Sequence, residues 1–179
     1  MPAPSPDWTA GQVIDHLRAT GSEENRAGMA HYGIVTDKAF GVGNSELRPL
    51  ARRIGRDHER AKELWDSGSR EARLLACFTE EKKNVDAAQA RRWAGDFNSW
   101  EIVDTAADLF SEAGLLHLIP EFAADEREFV RRTGIRGPVE GKGGAYVPGV
   151  LTAAGAFTLF GTVYAAHAIY GFIGPLPAF

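Results

Sequence analysis

Apolar residues recur at helical spacing over most of this 179-residue chain, and this periodicity constrains the fold more than any other feature. Between residues 9 and about 135, no stretch alternates apolar and polar residues in the way that a half-exposed strand does. The apolar residues instead return every three or four positions, as on the buried face of a helix. We therefore predict an all-α fold.

Short polar side chains mark several predicted helix starts. Thr9 and Gln12 form a capping box, Asn44 precedes a second helical run, and Asn98 with Glu101 forms a weaker capping pair. Short helices joined by short glycine-containing turns are typical of stacked helical hairpins, so we predict a right-handed solenoid of HEAT-like antiparallel helical hairpins. The periodicity alone is equally compatible with a compact bundle.

The charged residues divide the chain into segments. All 20 basic and 24 acidic residues lie between Asp7 and Lys142, so the last part of the chain carries no charge. A proline-rich N-terminus and a glycine-rich stretch after residue 136 supply two further boundaries. We predict a disordered lead at 1–8, a helical domain at 9–136, a glycine-rich linker at 137–148 and an uncharged apolar tail at 149–179.

The tail contains a candidate transmembrane segment. Residues 150–173 are apolar apart from threonines and His167, and the segment has the length of a bilayer-spanning helix. Three origins stay open: a truncated or frame-shifted reading of a gene, a membrane anchor, and a buried apolar terminal helix. We expect a cytoplasmic protein, with membrane attachment through the tail as the less favoured alternative.

Composition excludes several classes of protein. The formal net charge of -4 argues against binding to nucleic acid through bulk positive charge, although it allows a local basic surface. The single cysteine, Cys77, excludes an internal disulfide and a zinc site built from cysteines, and we predict that it is a small buried apolar residue. The five histidines show no metal-ligand spacing.

The helical run after Asn44 combines an apolar stripe with a row of arginines on another face. Such a row suits a phosphate backbone, because each cation displaces condensed counterions from nucleic acid. A solvated helix face is the alternative interpretation. The arginines are spaced by four residues, and they are Arg48, Arg52, Arg56 and Arg60.

An aromatic residue and a carboxylate stand four residues apart in the segment Asp96-Phe-Asn-Ser-Trp100-Glu-Ile-Val-Asp104. At helical spacing, Trp100 and Asp104 are neighbours at the edge between the buried stripe and solvent. A pair that lines a binding groove lies at such an edge. The alternative is a partly buried packing tryptophan beside an ordinary acidic residue of the first two helical turns.

Several segments in order resemble the DNA alkylation repair glycosylase family (AlkD-like), whose fold is a C-shaped stack of HEAT-like helical repeats. The resemblance covers roughly residues 29–135. Its segments are Tyr32-Gly-Ile, Ala39-Phe-Gly-Val-Gly-Asn-Ser-Glu-Leu-Arg48-Pro-Leu-Ala-Arg, Glu63-Leu-Trp65, Arg70-Glu-Ala-Arg-Leu-Leu-Ala76, Asp96 to Asp104 as above, and Glu128-Phe-Val-Arg-Arg132.

The resemblance implies a function and three site residues. It implies excision of cationic alkylated purines such as 3-methyladenine and 7-methylguanine from double-stranded DNA, by a monomer that needs neither a metal nor an organic cofactor. Trp100 would contact the deoxyribose, Asp104 would be the catalytic carboxylate, and Arg132 would help to hold the DNA backbone. From the row of arginines, we predict that Arg48, Arg52 and Arg56 also bind DNA.

One departure keeps a second function open. The family continues with helices that supply a second active-site tryptophan and a following arginine, whereas this chain has no tryptophan after Trp100 and no basic residue after Lys142. A catalytically inactive HEAT-like module that binds DNA or protein through the same surface is therefore the alternative.

Overall fold

The computed structural model describes residues 3–31, 34 and 37–135. Every regular element in these residues is a helix, so the all-α prediction is confirmed. Single turns of 3₁₀ helix occur at Lys82–Asn84 and Leu116–Leu118. The α-helices are α1 (Ala10–Thr20), α2 (Glu23–His31), α3 (Asn44–Ile54), α4 (His58–Asp66), α5 (Arg70–Thr79), α6 (Ala87–Ala94), α7 (Trp100–Glu112), α8 (Ile119–Ala123) and α9 (Glu128–Ile135).

Side-chain caps explain where several of these helices begin. The backbone N–H of Gln12 donates to Thr9 Oγ1 at 3.3 Å, and the Thr9 N–H donates to the Gln12 side chain at 2.9 Å. This confirms the predicted capping box. Asp57, Ser69 and Asp86 accept backbone hydrogen bonds in the same way at the starts of α4, α5 and α6.

Two predicted helix starts need correction. Helix α3 begins at Asn44 itself, after Gly43, and α7 follows Ser99 rather than Asn98. The reason is that the side chains of Asn44 and Glu101 bond to each other instead of capping their own helices. The Asn44 Nδ2 group donates to Glu101 Oε1 at 2.8 Å.

The helices pack in a regular order. Helices α4 and α5 form one packed pair, and α8 and α9 form another. From α3 onward, helices two apart in the chain also pack on each other: α3 on α5, α5 on α7, and α7 on α9. Contacts between successive neighbours are the pattern expected of stacked hairpins. The right-handed solenoid and the domain boundaries stay predictions.

The last residues of the predicted lead at 1–8 pack against the helices. Trp8 is 5% exposed and belongs to the core, where its ring lies edge-on to His16 with centroids 5.3 Å apart. The backbone carbonyls of Pro6 and Trp8 accept hydrogen bonds from Arg60. Burial of a large aromatic ring together with two hydrogen bonds to a buried guanidinium offsets the entropy of ordering this segment.

The predicted linker at 137–148 and tail at 149–179, including the candidate transmembrane segment at 150–173, lie outside the described residues. None of the helices within residues 3–31 and 37–135 combines the length and apolar character that crossing a membrane requires.

Candidate functional site

Helix α7 places Trp100 and Asp104 on one side of its first turns. Trp100 is the first residue of the helix, and Asp104 lies one turn further along. Both side chains are partly exposed, as predicted for the edge between core and solvent. The opposite side of α7 is buried, and its apolar residues are Ile102, Val103, Ala106, Ala107, Leu109 and Phe110.

Helix α9 brings Arg132 to the same carboxylate. The Arg132 guanidinium donates from Nε to Asp104 Oδ1 at 2.9 Å and from Nη2 to Oδ2 at 3.1 Å. The side chains of Arg132 and Asp104 are 35% and 19% exposed, so the pair is within reach of solvent. A two-point bond between a guanidinium and a carboxylate fixes the orientation of both groups.

The neighbouring Arg131 does not take part in this pair. Its guanidinium donates to the backbone carbonyls of Asp125 and Glu126, before the start of α9. Adjacent residues on a helix differ by about 100° in direction, which explains why only Arg132 faces α7. Of these two arginines, the structure brings only Arg132 to the site.

Three of the four arginines in the predicted row are exposed. Arg48, Arg52 and Arg56 are exposed, and within the described part of the chain no carboxylate pairs with them. The Arg48 guanidinium lies 4.6 Å from the ring centroid of Phe78 on α5, a cation–π contact. Arg53 is also exposed and was not predicted.

The fourth predicted member, Arg60, does not belong to this row. Gly55 ends α3 with φ of 69°, a backbone angle that favours glycine, so Arg60 lies on α4 and is buried. Its Nη2 donates to the carbonyls of Ile54 and Gly55 at 2.8 Å each, while Nη1 bonds to the N-terminal segment. Burial lowers the pKa of this guanidinium from its usual value. Of the predicted row, only Arg48 and Arg52 therefore lie on α3, and Arg56 lies in the connection to α4.

Sequence reasoning missed a group of polar residues next to Trp100, which we call the buried network. Arg70, Glu71 and Glu101 are buried, and the fourth member, Asn44, is half-buried. The guanidinium of Arg70 donates from Nε and Nη2 to the two carboxylate oxygens of Glu101, at 2.8 and 2.7 Å. It also donates from Nη1 to Glu71 Oε1 at 3.2 Å and to the Val42 carbonyl at 3.0 Å. The available signal was two adjacent charged residues directly after a helix cap, at positions that the helical pattern directs toward the core.

The remaining aromatic and thiol groups serve packing. Trp65 and Trp93 are buried and stack in parallel with ring centroids 4.1 Å apart. Cys77 is buried, as predicted, and burial raises the pKa of its thiol. Within the described residues, no group of three or more histidine, cysteine or acidic side chains could hold a metal ion.

The fold and these contacts define an all-helical protein with exposed arginines on one helix and an aromatic–carboxylate–arginine cluster two helices further along. The chain matches the DNA alkylation repair enzyme family over residues 13–140, which is more than half of its length, so it belongs to that family. Membership indicates a role in DNA repair. Comparisons with curated proteins and with solved structures gave no match.

Proposed function

We propose that this chain is a DNA N-glycosylase that excises cationic alkylated purines, such as 3-methyladenine and 7-methylguanine, from double-stranded DNA. The observation that supports this most directly is the Asp104 carboxylate, which is partly exposed, one helical turn from Trp100, and oriented by Arg132. Family membership supplies the substrate class, since the family acts in the repair of alkylated DNA.

The proposed chemistry suits these residue types. A purine alkylated at N3 or N7 carries a positive charge, so it departs with the electrons of the glycosidic bond and needs no general acid. Positive charge then develops on the deoxyribose, and a fixed carboxylate stabilises it, as in glycoside hydrolysis. Water attacks C1′ and loses a proton, which completes the hydrolysis. The Trp100 face adds attraction for the polarised C–H surface of the sugar.

Arg132 has donors for a second role in this scheme. Its bonds to Asp104 use one N–H of Nε and one of Nη2. A guanidinium has five N–H donors, so the others can contact a backbone phosphate while Asp104 stays oriented. In this proposal, Arg132 connects the carboxylate to the DNA backbone.

We assign the remaining contacts with the DNA backbone to Arg48, Arg52 and Arg56. Arg48 and Arg52 are exposed on α3, and Arg56 is exposed just after the end of that helix. Helix α3 packs on α5, and α5 packs on α7. A chain with a net charge of -4 holds DNA only through such a concentrated basic surface. Phosphate contacts of this kind position the protein without reading the base sequence. We also propose that the protein acts as a cytoplasmic monomer.

The direct test uses the full chain and DNA treated with a methylating agent. Released bases are separated by chromatography, and heat-denatured protein gives the background. We expect time-dependent release of 3-methyladenine and 7-methylguanine. No release above background from a preparation with a cooperative unfolding transition would remove the glycosylase proposal.

A catalytically inactive HEAT-like module that binds DNA or protein is the second candidate. One observation favours it: the chain offers no tryptophan after Trp100 to form a second aromatic face. This candidate predicts binding to duplex DNA without release of any base, so the same assay combined with a binding titration separates the two functions.

A further inference from the structure

The buried network joins the starts of α3, α5 and α7, of which α3 and α7 carry residues of the proposed site. Asn44 is the first residue of α3, Arg70 and Glu71 open α5, and Glu101 is the second residue of α7. All their connecting bonds lie between 2.7 and 3.2 Å. The network therefore connects the helix of the exposed arginines to the helix of Trp100 and Asp104.

The network also holds the segment that leads into α3. The Glu71 carboxylate accepts hydrogen bonds from the backbone N–H groups of Phe40, Gly41 and Val42, at 3.0, 2.9 and 3.2 Å. Gly41 has φ of 85° and lies against the backbone of Ser22, where a Cβ would meet the Ser22 carbonyl. The chain before α3 is thus fixed by a buried carboxylate rather than by surface contacts.

Helix α7 begins without a side-chain cap of its own. Ser99 occupies the N-cap position, yet its side chain makes no capping bond, and its buried Oγ has no hydrogen-bond partner among the described residues. Thr9, Asp57 and Ser69, by contrast, cap their own helices. The side chain of Glu101, with its bonds to Arg70 and Asn44, therefore anchors the first turn of α7.

Trp100 and Asp104 belong to that anchored part of the helix. Trp100 precedes Glu101 directly, and Asp104 lies three residues after it, so all three side chains belong to the start of α7. A shift of the α7 backbone at Glu101 would therefore also move Trp100 and Asp104. The buried positions of Arg70 and Glu101 keep these two side chains themselves away from DNA.

We propose that Arg70 and Glu101 are positioning residues, which set Trp100 and Asp104 in the geometry that excision needs relative to the arginines of α3. The part of this inference that concerns excision rests on the proposed glycosylase function. Displacement of a catalytic group by about 1 Å can reduce a rate by about 10²-fold, so a small movement of α7 has a large effect.

Two full-length variants test the proposal, one that keeps the positive charge and one that removes both charges of the pair. Arg70→Lys keeps a positive charge but lacks the planar fork that bonds both Glu101 oxygens. The double variant Arg70→Met/Glu101→Leu removes both charges together, so neither is left buried without its partner. Glu80→Gln is the matched control, because Glu80 is also a buried carboxylate with side-chain partners, but it lies at the opposite end of α5.

The first measurement is the single-turnover excision rate at saturating protein, beside the affinity for undamaged duplex. We expect both network variants to lose about 10- to 100-fold in rate, as for a misplaced catalytic group, with little change in affinity. The Glu80→Gln control should keep its rate. A loss that only follows the folded fraction, or an equal loss in the control, would overturn the proposal.

The second measurement does not need enzymatic activity. Of the four tryptophans, Trp8, Trp65 and Trp93 are buried and Trp100 is partly exposed, so acrylamide quenching of fluorescence reports mainly on Trp100. We expect quenching to increase in both network variants and not in Glu80→Gln, and Trp100→Phe verifies the assignment.

The two measurements separate this inference from the proposed function. If the wild-type chain releases no base but quenching increases in the network variants, the glycosylase proposal fails while the positioning of Trp100 by Arg70 and Glu101 stands. Unchanged quenching in folded network variants contradicts the positioning role whatever the excision rate.

Discussion

Helix α7 contributes one carboxylate to each of two arginine pairs, and the pairs differ in burial. Glu101 accepts two bonds from Arg70 at 2.8 and 2.7 Å, and the side chains are 9% and 5% exposed. Asp104 accepts two bonds from Arg132 at 2.9 and 3.1 Å, and the side chains are 19% and 35% exposed. The bonding pattern is nearly the same in both.

Burial gives these similar pairs different consequences. A buried pair is costly to break, because the remaining charge is left without a partner in a medium that screens it poorly. A partly exposed pair contributes little to stability, because water solvates either partner alone. The Arg70–Glu101 pair therefore suits a structural role, and the Arg132–Asp104 pair suits contact with a ligand.

The largest expected effect is on stability. Arg70→Ala removes the partner of a buried carboxylate and should lower the free energy of unfolding by about 3–5 kcal/mol. Urea denaturation followed by circular dichroism measures this loss. A loss below about 1 kcal/mol, the size expected of an exposed pair, would erase the contrast between the two pairs.

Arg132→Ala should reduce excision strongly and stability only slightly. We expect a stability loss below about 1 kcal/mol, with excision reduced by about 10- to 100-fold through lost charge-assisted bonds to the carboxylate and the DNA. Single-turnover excision and urea denaturation measure the two effects. Arg131→Ala is the matched control, because the Arg131 side chain bonds to backbone carbonyls and not to Asp104. Equal losses of excision in both variants would remove the special role of Arg132.

The exposed arginines of α3 should affect binding alone. In Arg48→Gln/Arg52→Gln, each lost phosphate contact should lower the slope of log affinity against log salt by about 0.9. Affinity should fall alike for lesion-bearing and undamaged duplexes. Arg91→Gln is the control, because this exposed arginine of α6 pairs with Glu121. An unchanged affinity and salt slope in the double variant would make the row a solvated helix face.

The smallest expected effect concerns the Cys77 thiol on α5. Burial raises its pKa, so at pH 8 the folded chain holds less thiolate than an exposed cysteine would, and reaction with a thiol reagent should be slow. Arg70→Ala should accelerate the reaction by increasing opening of the structure, whereas Arg132→Ala should leave it unchanged. Fast labelling of Cys77 in the folded wild-type chain would show that the thiol is accessible to solvent, contrary to this expectation.

The sequence allowed the helical fold and the edge position of Trp100 and Asp104 to be predicted. Both depend on local physics: capping boxes such as Thr9 with Gln12 mark helix starts, and residues four apart lie on one side of a helix.

The failures came from contacts between distant residues. Arg60 continues the four-residue spacing of Arg48, Arg52 and Arg56. However, Gly55 ends α3, so Arg60 lies on α4 and its side chain is buried. Glu101 was predicted as a capping partner of Asn98, but it bonds to Arg70, 31 residues earlier. Periodicity carries no information about which distant partner compensates a buried charge.

Asp104→Asn tests the catalytic role proposed for the Asp104 carboxylate. This change keeps the shape of the side chain and removes its charge, with Asp108→Asn, one turn further along α7, as the control. We expect single-turnover release of 3-methyladenine to fall by about 10²-fold or more in Asp104→Asn, with unfolding and affinity for undamaged duplex nearly unchanged. Release at the wild-type rate in Asp104→Asn would show that Asp104 is not the catalytic carboxylate.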